Sequence, residues 1–357
     1  MLSATPRRAL LFVVLVLAPL ATSSAQPVGE RDANGLWWTH PLDHPYRRSA
    51  TDESLASLPQ LGDELALEKL RGAGGEKPET GRLVGERGTI VVVIRSLTWS
   101  PFCRAQVDAW TRRIADAREI GYEVVVVSAR ASEGAGGMPL LVAGDEALGL
   151  RNPRIEEGEE GFGTLTPATF VLSPDGRVEH RFVDKHHARR VTPGTVLAAL
   201  APPNAAMSAP VAGQGLRASA TLLDPALWLE AQSTLLVRLE LDLGRYIYTD
   251  PLPDGFIATT VQVLPTEGLR LSRIAYPPAE SKEFPDLGVT LPIYEGVADF
   301  LVPVRATSEL LGFEVERPTN GYPLFVRVDY QTCSSNFCFS PQTLELYVEV
   351  SAQALQP

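Results

Sequence analysis

"TIVVVIRSLTWSPFCRAQV", Thr89–Val107, sets the architecture of the first half of the chain. Its opening run of β-branched residues predicts a strand that is buried on both faces. After a short turn, Val107 and Trp110 begin an apolar pattern at helical spacing. The stretch therefore predicts strand, turn and helix in that order, with Cys103 close to the amino terminus of the helix.

The segments that follow alternate between strand and helix signals. A second buried strand is predicted over 122–129, and a hairpin around a Pro-Asp-Gly turn is predicted over 168–183. A closing helix is predicted over 192–200, with Thr192 as its cap. This order predicts an α/β domain over residues 86–200.

The second half of the chain has a different pattern. Residues 201–215 are rich in Pro, Ala and Gly, which is typical of a linker. Short segments of alternating apolar and polar residues follow, including 233–243, 322–330 and 343–350. They predict an all-β sandwich domain over residues 216–352.

Length and composition are consistent with two such domains. The chain has 357 residues, and 45% of them are hydrophobic, which is enough for a core in each domain. The net charge of −11 and the lack of a basic stripe exclude nucleic acid as an expected partner.

The amino terminus has the features of a secretory signal peptide. Arg7 and Arg8 precede an apolar run, 9–20, and small residues follow it. We expect residues 1–25 to be removed, which leaves an exported, periplasmic protein with no membrane span. Residues 26–85 then form an amino-terminal extension that is partly irregular.

Cys103 is the first candidate for chemistry. A helix amino terminus favours a thiolate, and Arg104 adds positive charge nearby. Ser100 occupies the place where a CxxC motif would have its first cysteine. Cys103 is therefore expected to act as a single reactive thiol, in peroxide or disulfide reduction.

The stretch around Cys103, together with "TLTPATF" at 164–170, resembles the redoxin and peroxiredoxin branch of the thioredoxin superfamily. The resemblance implies a thioredoxin-like fold in which Cys103 is the reactive thiol and Pro167 is a cis-proline beside it. The supporting residues that it implies are Trp99, Ser100, Pro101, Arg104, Thr166 and Pro167.

This branch also places an arginine near the reactive cysteine. Arg95, Arg151 and Arg154 are the candidates that the sequence offers for that role.

Cys333 and Cys338 form the second candidate site. They lie between two predicted strands, so a hairpin would place them within reach of a disulfide. A structural staple and an exchangeable pair both fit this spacing. Two cysteines with no further Cys or His cluster nearby do not make a zinc site, and no metal or other cofactor is expected.

The segment "YQTCSSNFCFSP", 330–341, resembles the periplasmic N-terminal domain of the transmembrane thiol–disulfide interchange protein DsbD. Stretches 245–263 and 291–304 add to the likeness. The resemblance implies an immunoglobulin-like sandwich whose cysteine pair is redox-active and passes electrons to exported thioredoxin-like partners. It also implies a cap over the pair at 293–296, formed by Ile293, Tyr294 and Glu295.

These features lead to the hypothesis of an exported thiol–disulfide oxidoreductase. In it, Cys103 reacts with a peroxide or a substrate disulfide, Cys333 and Cys338 relay electrons, and a membrane-linked reductant resets the pair. In one alternative, the sandwich is a reductant docking module beside a partner-binding scaffold. In another, the protein is a non-catalytic exported binding protein with a structural disulfide and an inert Cys103.

Overall fold

The computed structural model of the chain describes residues 30–31, 37–38, 50–129, 131, 135–143, 149–150, 165–310, 321–353 and 355. The predicted signal peptide lies outside these residues, as do Arg151 and Arg154.

The first part of the described chain mixes helices and strands. Its helices are α1 (Asp52–Ala56), α2 (Pro101–Thr111), α3 (Ile114–Glu119) and α4 (Pro193–Leu200). Its strands are β1 (Glu30–Arg31), β2 (Trp37–Trp38), β3 (Arg71–Gly72), β4 (Gly88–Val93), β5 (Tyr122–Ser128), β6 (Leu140–Val142), β7 (Ala168–Leu172), β8 (Val178–Val183) and β9 (Arg190–Val191).

Six of these strands form one mixed sheet in the order β3-β6-β5-β4-β7-β8. Strands β4, β5 and β6 are parallel, whereas β7 and β8 form the antiparallel hairpin on the other side. Every residue of β4 is buried, as its unbroken β-branched sequence predicts. Strand β3 joins the sheet at its edge, so the α/β fold begins before residue 86.

Helix α2 lies between this sheet and the second part of the chain. One face packs under the sheet through Cys103 and Trp110. The other face carries Phe102 and Ala105, which share a buried cluster with Trp228 from the sandwich. The amino-terminal turn of the helix is consequently enclosed on both sides.

The rest of the described chain is built from strands. They are β10 (Val211–Ala212), β11 (Leu216–Leu222), β12 (Leu227–Trp228), β13 (Ala231–Leu241), β14 (Tyr246–Tyr248), β15 (Thr260–Val263), β16 (Leu269–Leu271), β17 (Glu280–Phe284), β18 (Val289–Glu295), β19 (Val297–Ala306), β20 (Tyr322–Tyr330), β21 (Thr332–Cys333), β22 (Gln342–Val350) and β23 (Ala352–Gln353).

Two sheets of these strands enclose the sandwich core. One has the order β10-β11-β13-β19-β16, and the other has the order β15-β20-β22. The alternating burial along β19 and β20 places one face of each strand in the core, as the period-two pattern predicts. A smaller sheet, β17-β18-β14-β21, lies at the end of β13 and carries Cys333.

The two parts of the chain are joined by a strand pair and by buried charges. Strand β9 pairs in parallel with the start of β13, through Arg190 with Ala231. Beside this pair, the fully buried Glu230 accepts hydrogen bonds from Arg189, at 3.2 Å, and from Arg305. Backbone pairing and a buried ion cluster therefore hold the two parts together.

The structure confirms the predicted fold class, a thioredoxin-like α/β unit followed by an immunoglobulin-like β-sandwich. The expected linker, 201–215, is irregular up to residue 210, and β10 then joins the sandwich. In the described part of the chain, no helix has the length and apolar character needed to cross a membrane.

Candidate functional site

Cys103 lies in the first turn of α2, and polar groups from three segments surround its thiol. The side chain of Ser100 caps the helix by accepting from the amide of Cys103 at 3.3 Å. The amide of Arg95, just after β4, donates to Sγ at 3.3 Å. Arg190, in β9, places Nη2 3.8 Å from Sγ. Cys103 itself is 0% exposed.

These contacts decide the charge state of the thiol. Complete burial raises the pKa of Cys103, because a thiolate is poorly stabilised away from water. The positive charge of Arg190 and the hydroxyl of Ser100 oppose burial, with help from the amides of Ser96 and Arg95. Together they bring the pKa of Cys103 below its ordinary value, which favours a thiolate.

Arg190 is the contact of the Cys103 thiol that the sequence did not reveal. Of the candidates Arg95, Arg151 and Arg154, Arg95 is the one that lies within the described residues. It reaches the thiol with its backbone amide, while its guanidinium lies 5.0 Å from the centre of the Trp99 ring. Arg104 donates to the carbonyls of the preceding turn, Leu97 at 3.2 Å and Thr98 at 3.0 Å. The cation at the sulfur comes instead from a two-residue strand 87 positions later, which no local motif marks.

The prediction of a cis bond between Thr166 and Pro167 was wrong. Among the described residues the cis bond is Asp250–Pro251, so Thr166–Pro167 is trans. The amide of Thr166 donates to the carbonyl of Leu150 at 2.8 Å, and β7 begins directly after Pro167. An extended trans peptide, the favoured isomer, fits this entry into the strand.

Cys333 and Cys338 form a disulfide across a tight hairpin, as their spacing predicted. Their Cα atoms are 3.9 Å apart, and the two residues form a β-bridge. The amide of Ser334 donates to the carbonyl of Phe337 at 2.8 Å, which closes the loop. The two cysteines differ in exposure, because Cys333 is buried whereas Cys338 faces solvent.

An aromatic cluster surrounds the buried half of this disulfide. Cys333 pairs with Tyr246 in β14 and shares a small core with Tyr248 and Ile293. The ring of Phe284, at the end of β17, lies 5.7 Å from that of Tyr246 and 6.0 Å from that of Tyr248. A thiolate formed at Cys333 would therefore be generated among apolar rings.

The predicted cap residues belong to strand β18 and face in different directions. Ile293 packs beside Cys333. Tyr294 points to the main sandwich core, where its ring lies 5.6 Å from that of Phe300. Glu295 is exposed and pairs with Lys282. Of the three residues, Ile293 is the one that shares a cluster with the disulfide.

The structure does not bring Cys103 close to the disulfide. Arg190, which contacts Cys103, pairs with Ala231 at the first residue of β13. Cys333 pairs with Tyr246, which lies beyond the last residue of β13. At about 3.3 Å per residue, β13 alone spans roughly 30 Å. Direct sulfur-to-sulfur transfer within one chain is incompatible with this arrangement.

Comparison with known proteins gave a family match for the second part of the chain. No curated protein sequence matches the chain significantly. Residues 219–349 match the family described as thiol:disulfide interchange protein DsbD, N-terminal. The matched residues contain both Cys333 and Cys338.

Solved structures similar to the chain fall into two groups. The reduced N-terminal domain of DsbD from Neisseria meningitidis is 18% identical, with 33% of this chain and 78% of that one covered and a TM-score of 0.23. The complex of the DsbD and PilB N-terminal domains from the same organism is also 18% identical, with 32% of this chain and 73% of that one covered and a TM-score of 0.23. Peroxiredoxin Q from Xanthomonas campestris is 24% identical, with 39% of this chain and 94% of that one covered and a TM-score of 0.28.

The family match coincides with the sandwich that carries the exposed disulfide. It supports thiol–disulfide redox chemistry in general terms. Over residues 219–349, the chain is similar to the N-terminal domain of the thiol:disulfide interchange protein DsbD.

Proposed function

We propose that the chain is an exported thiol–disulfide oxidoreductase with two separate thiol sites. The disulfide Cys333–Cys338 exchanges with a thioredoxin-like protein partner, and Cys103 reacts as a single thiol at the other end of the sandwich. The observation that carries the proposal is the asymmetric exposure of the disulfide within a segment that matches a thiol–disulfide interchange family.

The exposure determines which sulfur reacts first. A partner thiolate attacks Sγ of Cys338, forming a mixed disulfide, and Cys333 leaves as a thiolate that takes up a proton. The partner's second thiolate then attacks the mixed disulfide and releases Cys338. The partner's dithiol has become a disulfide, and the two electrons and two protons now reside on the pair. The reverse sequence reduces a partner's disulfide.

Trapping experiments test this order of attack. The probe is a thioredoxin whose resolving cysteine is replaced by serine and whose remaining cysteine is in a mixed disulfide with thionitrobenzoate, which leaves as a thiolate when a free thiolate of the chain attacks. Cys333→Ser leaves the exposed Cys338 free, and we expect it to form a stable adduct. Cys338→Ser leaves the buried thiol, and we expect it to react at least about tenfold more slowly. Each of these two variants is also made with Cys103→Ser added. This further substitution should leave the rate of adduct formation unchanged.

Equal rates for the two single variants would contradict attack at Cys338. A wild-type disulfide that reduced thioredoxin leaves intact would contradict exchange at this pair altogether. It would favour the alternative in which the disulfide is a structural staple of the hairpin.

For Cys103 we propose reaction with a hydroperoxide. The thiolate attacks the outer peroxide oxygen, the O–O bond breaks, and the alkoxide takes a proton to leave as an alcohol or water. Cys103 becomes a sulfenic acid, which condenses with an external thiol to give a mixed disulfide and water. A second external thiol then restores Cys103 and leaves as a disulfide. The contacts of Sγ with Arg190 and with the amide of Arg95 support this role.

A further inference from the structure

Arg245, the residue directly before β14, contacts the hairpin that carries the disulfide. Its guanidinium carbon lies 4.9 Å from the centre of the Phe337 ring and 4.9 Å from that of the Phe339 ring. The two rings lie 5.1 Å apart and are almost perpendicular to each other. These distances are typical of cation–π contacts and of an edge-to-face ring pair. Arg245 therefore contacts the residues on both sides of the exposed Cys338.

The position of this guanidinium is set by the two rings. Its Nη1 is buried and has no hydrogen-bond acceptor among the described residues. The faces of aromatic rings carry partial negative charge, so they attract a cation that no acceptor holds. We infer that Arg245 and the two rings form one packed unit.

The loop between the two cysteines is held mainly by bonds within itself. The amide of Ser334 donates to the carbonyl of Phe337 at 2.8 Å, and the amides of Asn336 and Phe337 donate to the hydroxyl of Ser334 at 3.3 Å. The hydroxyl of Tyr246 ties Ser334 to β14, by donating to its carbonyl at 3.0 Å. At the other end of the loop, Arg245 supplies the contact with the start of β14.

This contact matters most when the disulfide is open. Loss of the covalent link lets the exposed chain around Cys338 move, unless other contacts hold it in place. Rings that are fixed on both sides of Cys338 keep its thiol close to that of Cys333. The effective concentration of one thiol toward the other is then high, and this favours the disulfide over the dithiol.

We propose that Arg245 is a positioning residue for exchange at Cys333–Cys338, and that its contacts with Phe337 and Phe339 stabilise the disulfide against reduction. Arg245 takes no part in making or breaking bonds, since the partner thiolate still attacks Cys338 and Cys333 still leaves. The inference rests on the proposed function, because it concerns how readily the same pair gives up its electrons. A more stable disulfide makes the reduced pair a stronger reductant for a partner's disulfide.

Equilibration of the full chain with mixtures of reduced and oxidised dithiothreitol tests the proposal. Free thiols are alkylated, and the peptide that contains both cysteines is quantified by mass spectrometry. Arg245→Gln should favour the dithiol about three- to tenfold, which raises the reduction potential by about 15–30 mV. Arg245→Lys keeps a cation on the rings and should stay within about twofold of wild type.

Phe337→Leu extends the test to a second variant at a position that is 50% exposed. It removes one of the two rings, so the equilibrium should again shift toward the dithiol. Combined with Arg245→Gln, it should add nothing to the shift of Arg245→Gln alone, because the contact between the two residues is already lost.

Arg87→Gln is the matched control, because Arg87 makes the same kind of contact with the Tyr122 ring, at 5.2 Å, in the α/β unit. Its equilibrium should equal that of wild type, and circular dichroism checks that each variant is folded.

Three results would overturn the proposal. The first is a wild-type equilibrium in Arg245→Gln. The second is a shift of this variant toward the disulfide, which is expected if the charge of Arg245 acts by stabilising thiolates. The third is an additive effect of Arg245→Gln and Phe337→Leu. The equilibrium is measured whether or not thioredoxin reduces the wild-type disulfide, so a failure of the proposed exchange is recognised separately.

Discussion

Cys103 obtains its chemical character from residues that are distant in sequence. Ser100 is local and caps the helix, but Arg190 comes from a strand that forms only when the two parts of the chain pack together. Burial alone would raise the pKa of the thiol and leave it inert. The positive charge of Arg190, together with Ser100 and the amides of Ser96 and Arg95, outweighs burial and lowers the pKa of Cys103. In the proposed function, the reactivity of Cys103 therefore depends on Arg190.

Replacing Arg190 should therefore move the pH profile of Cys103. In wild type, the rate of oxidation by hydrogen peroxide should rise with pH and level off below the pH at which an ordinary thiol does so, because the pKa is lowered. Arg190→Gln should move the midpoint to higher pH and slow the reaction at pH 7 severalfold, because the thiolate loses its nearby cation. Mass spectrometry of the Cys103 peptide measures the rate.

Arg190→Lys retains a cation and should keep most of the wild-type profile. Arg118→Gln, which removes an exposed arginine paired with Glu123, should have no effect. Identical profiles for wild type and Arg190→Gln would show that another group sets the charge state of Cys103.

The role of a residue was predictable where its partners are close in sequence. The hairpin disulfide followed from the five-residue spacing of its cysteines. The cap at Ser100 is equally local, since Ser100 accepts from an amide three residues later, although the sequence was interpreted there only as a CxxC motif without its first cysteine. Arg190 was not predictable, because its contact with the thiol depends on tertiary packing across 87 positions. The trans bond before Pro167 is the isomer that X-Pro bonds usually adopt, so the resemblance alone had suggested the cis form.

Among the elements, the small sheet β17-β18-β14-β21 controls the surroundings of the disulfide. Its hairpin β17–β18 brings Phe284 against the tyrosines of β14, next to Cys333. Cys333 is the leaving group in the proposed exchange, and apolar surroundings disfavour its thiolate. We infer that the hairpin slows exchange until a partner displaces it.

Phe284→Ala should accordingly accelerate reduction of the disulfide. Loss of the ring lets water reach the departing thiolate of Cys333, and we expect the rate with dithiothreitol to rise about three- to tenfold. Phe325→Ala is the control, because Phe325 is exposed in β20 and packs on Tyr347. An unchanged or slower rate in Phe284→Ala would show that the hairpin does not limit exchange.

Long elements followed from the sequence, whereas the shortest ones did not. The buried run of β4 and the alternation in β20 and β22 were visible as patterns. Strand β9 has two residues, too few for any period, yet it joins the two parts of the chain. The direction of the cap residues in β18 also escaped prediction, because it depends on which face of the strand meets Cys333.

At the scale of the whole molecule, the ion cluster around Glu230 fixes how the two parts meet. Glu230→Gln leaves Arg189 and Arg305 without their shared carboxylate, and breaking a buried pair in this way typically costs about 3–5 kcal/mol. Urea unfolding should show this loss. Glu240→Gln removes a carboxylate of β13 from an exposed pair with Arg217 of β11 and should cost less than about 1 kcal/mol. Equal losses in the two variants would contradict a structural role for the cluster.

The length of β13 separates the two thiol sites, and this separation changes the proposed path of electrons. The sequence suggested that Cys333 and Cys338 resolve an oxidised Cys103 in the same chain. The structure places Arg190, which contacts Cys103, at the first residue of β13 and Cys333 beyond its last residue. The length of the strand between these two places is roughly 30 Å. Under the proposed function, both sites therefore exchange electrons with other molecules.

Peroxide oxidation of the chain with its disulfide first reduced tests this separation directly. After treatment, the monomer is isolated under non-reducing conditions, and its peptides are analysed by mass spectrometry with dimedone as the trap for sulfenic acid. We expect dimedone-labelled Cys103 and no cross-linked peptide joining it to Cys333 or Cys338. Accumulation of an intrachain Cys103–Cys333 or Cys103–Cys338 disulfide in the monomer would contradict the existence of two separate sites.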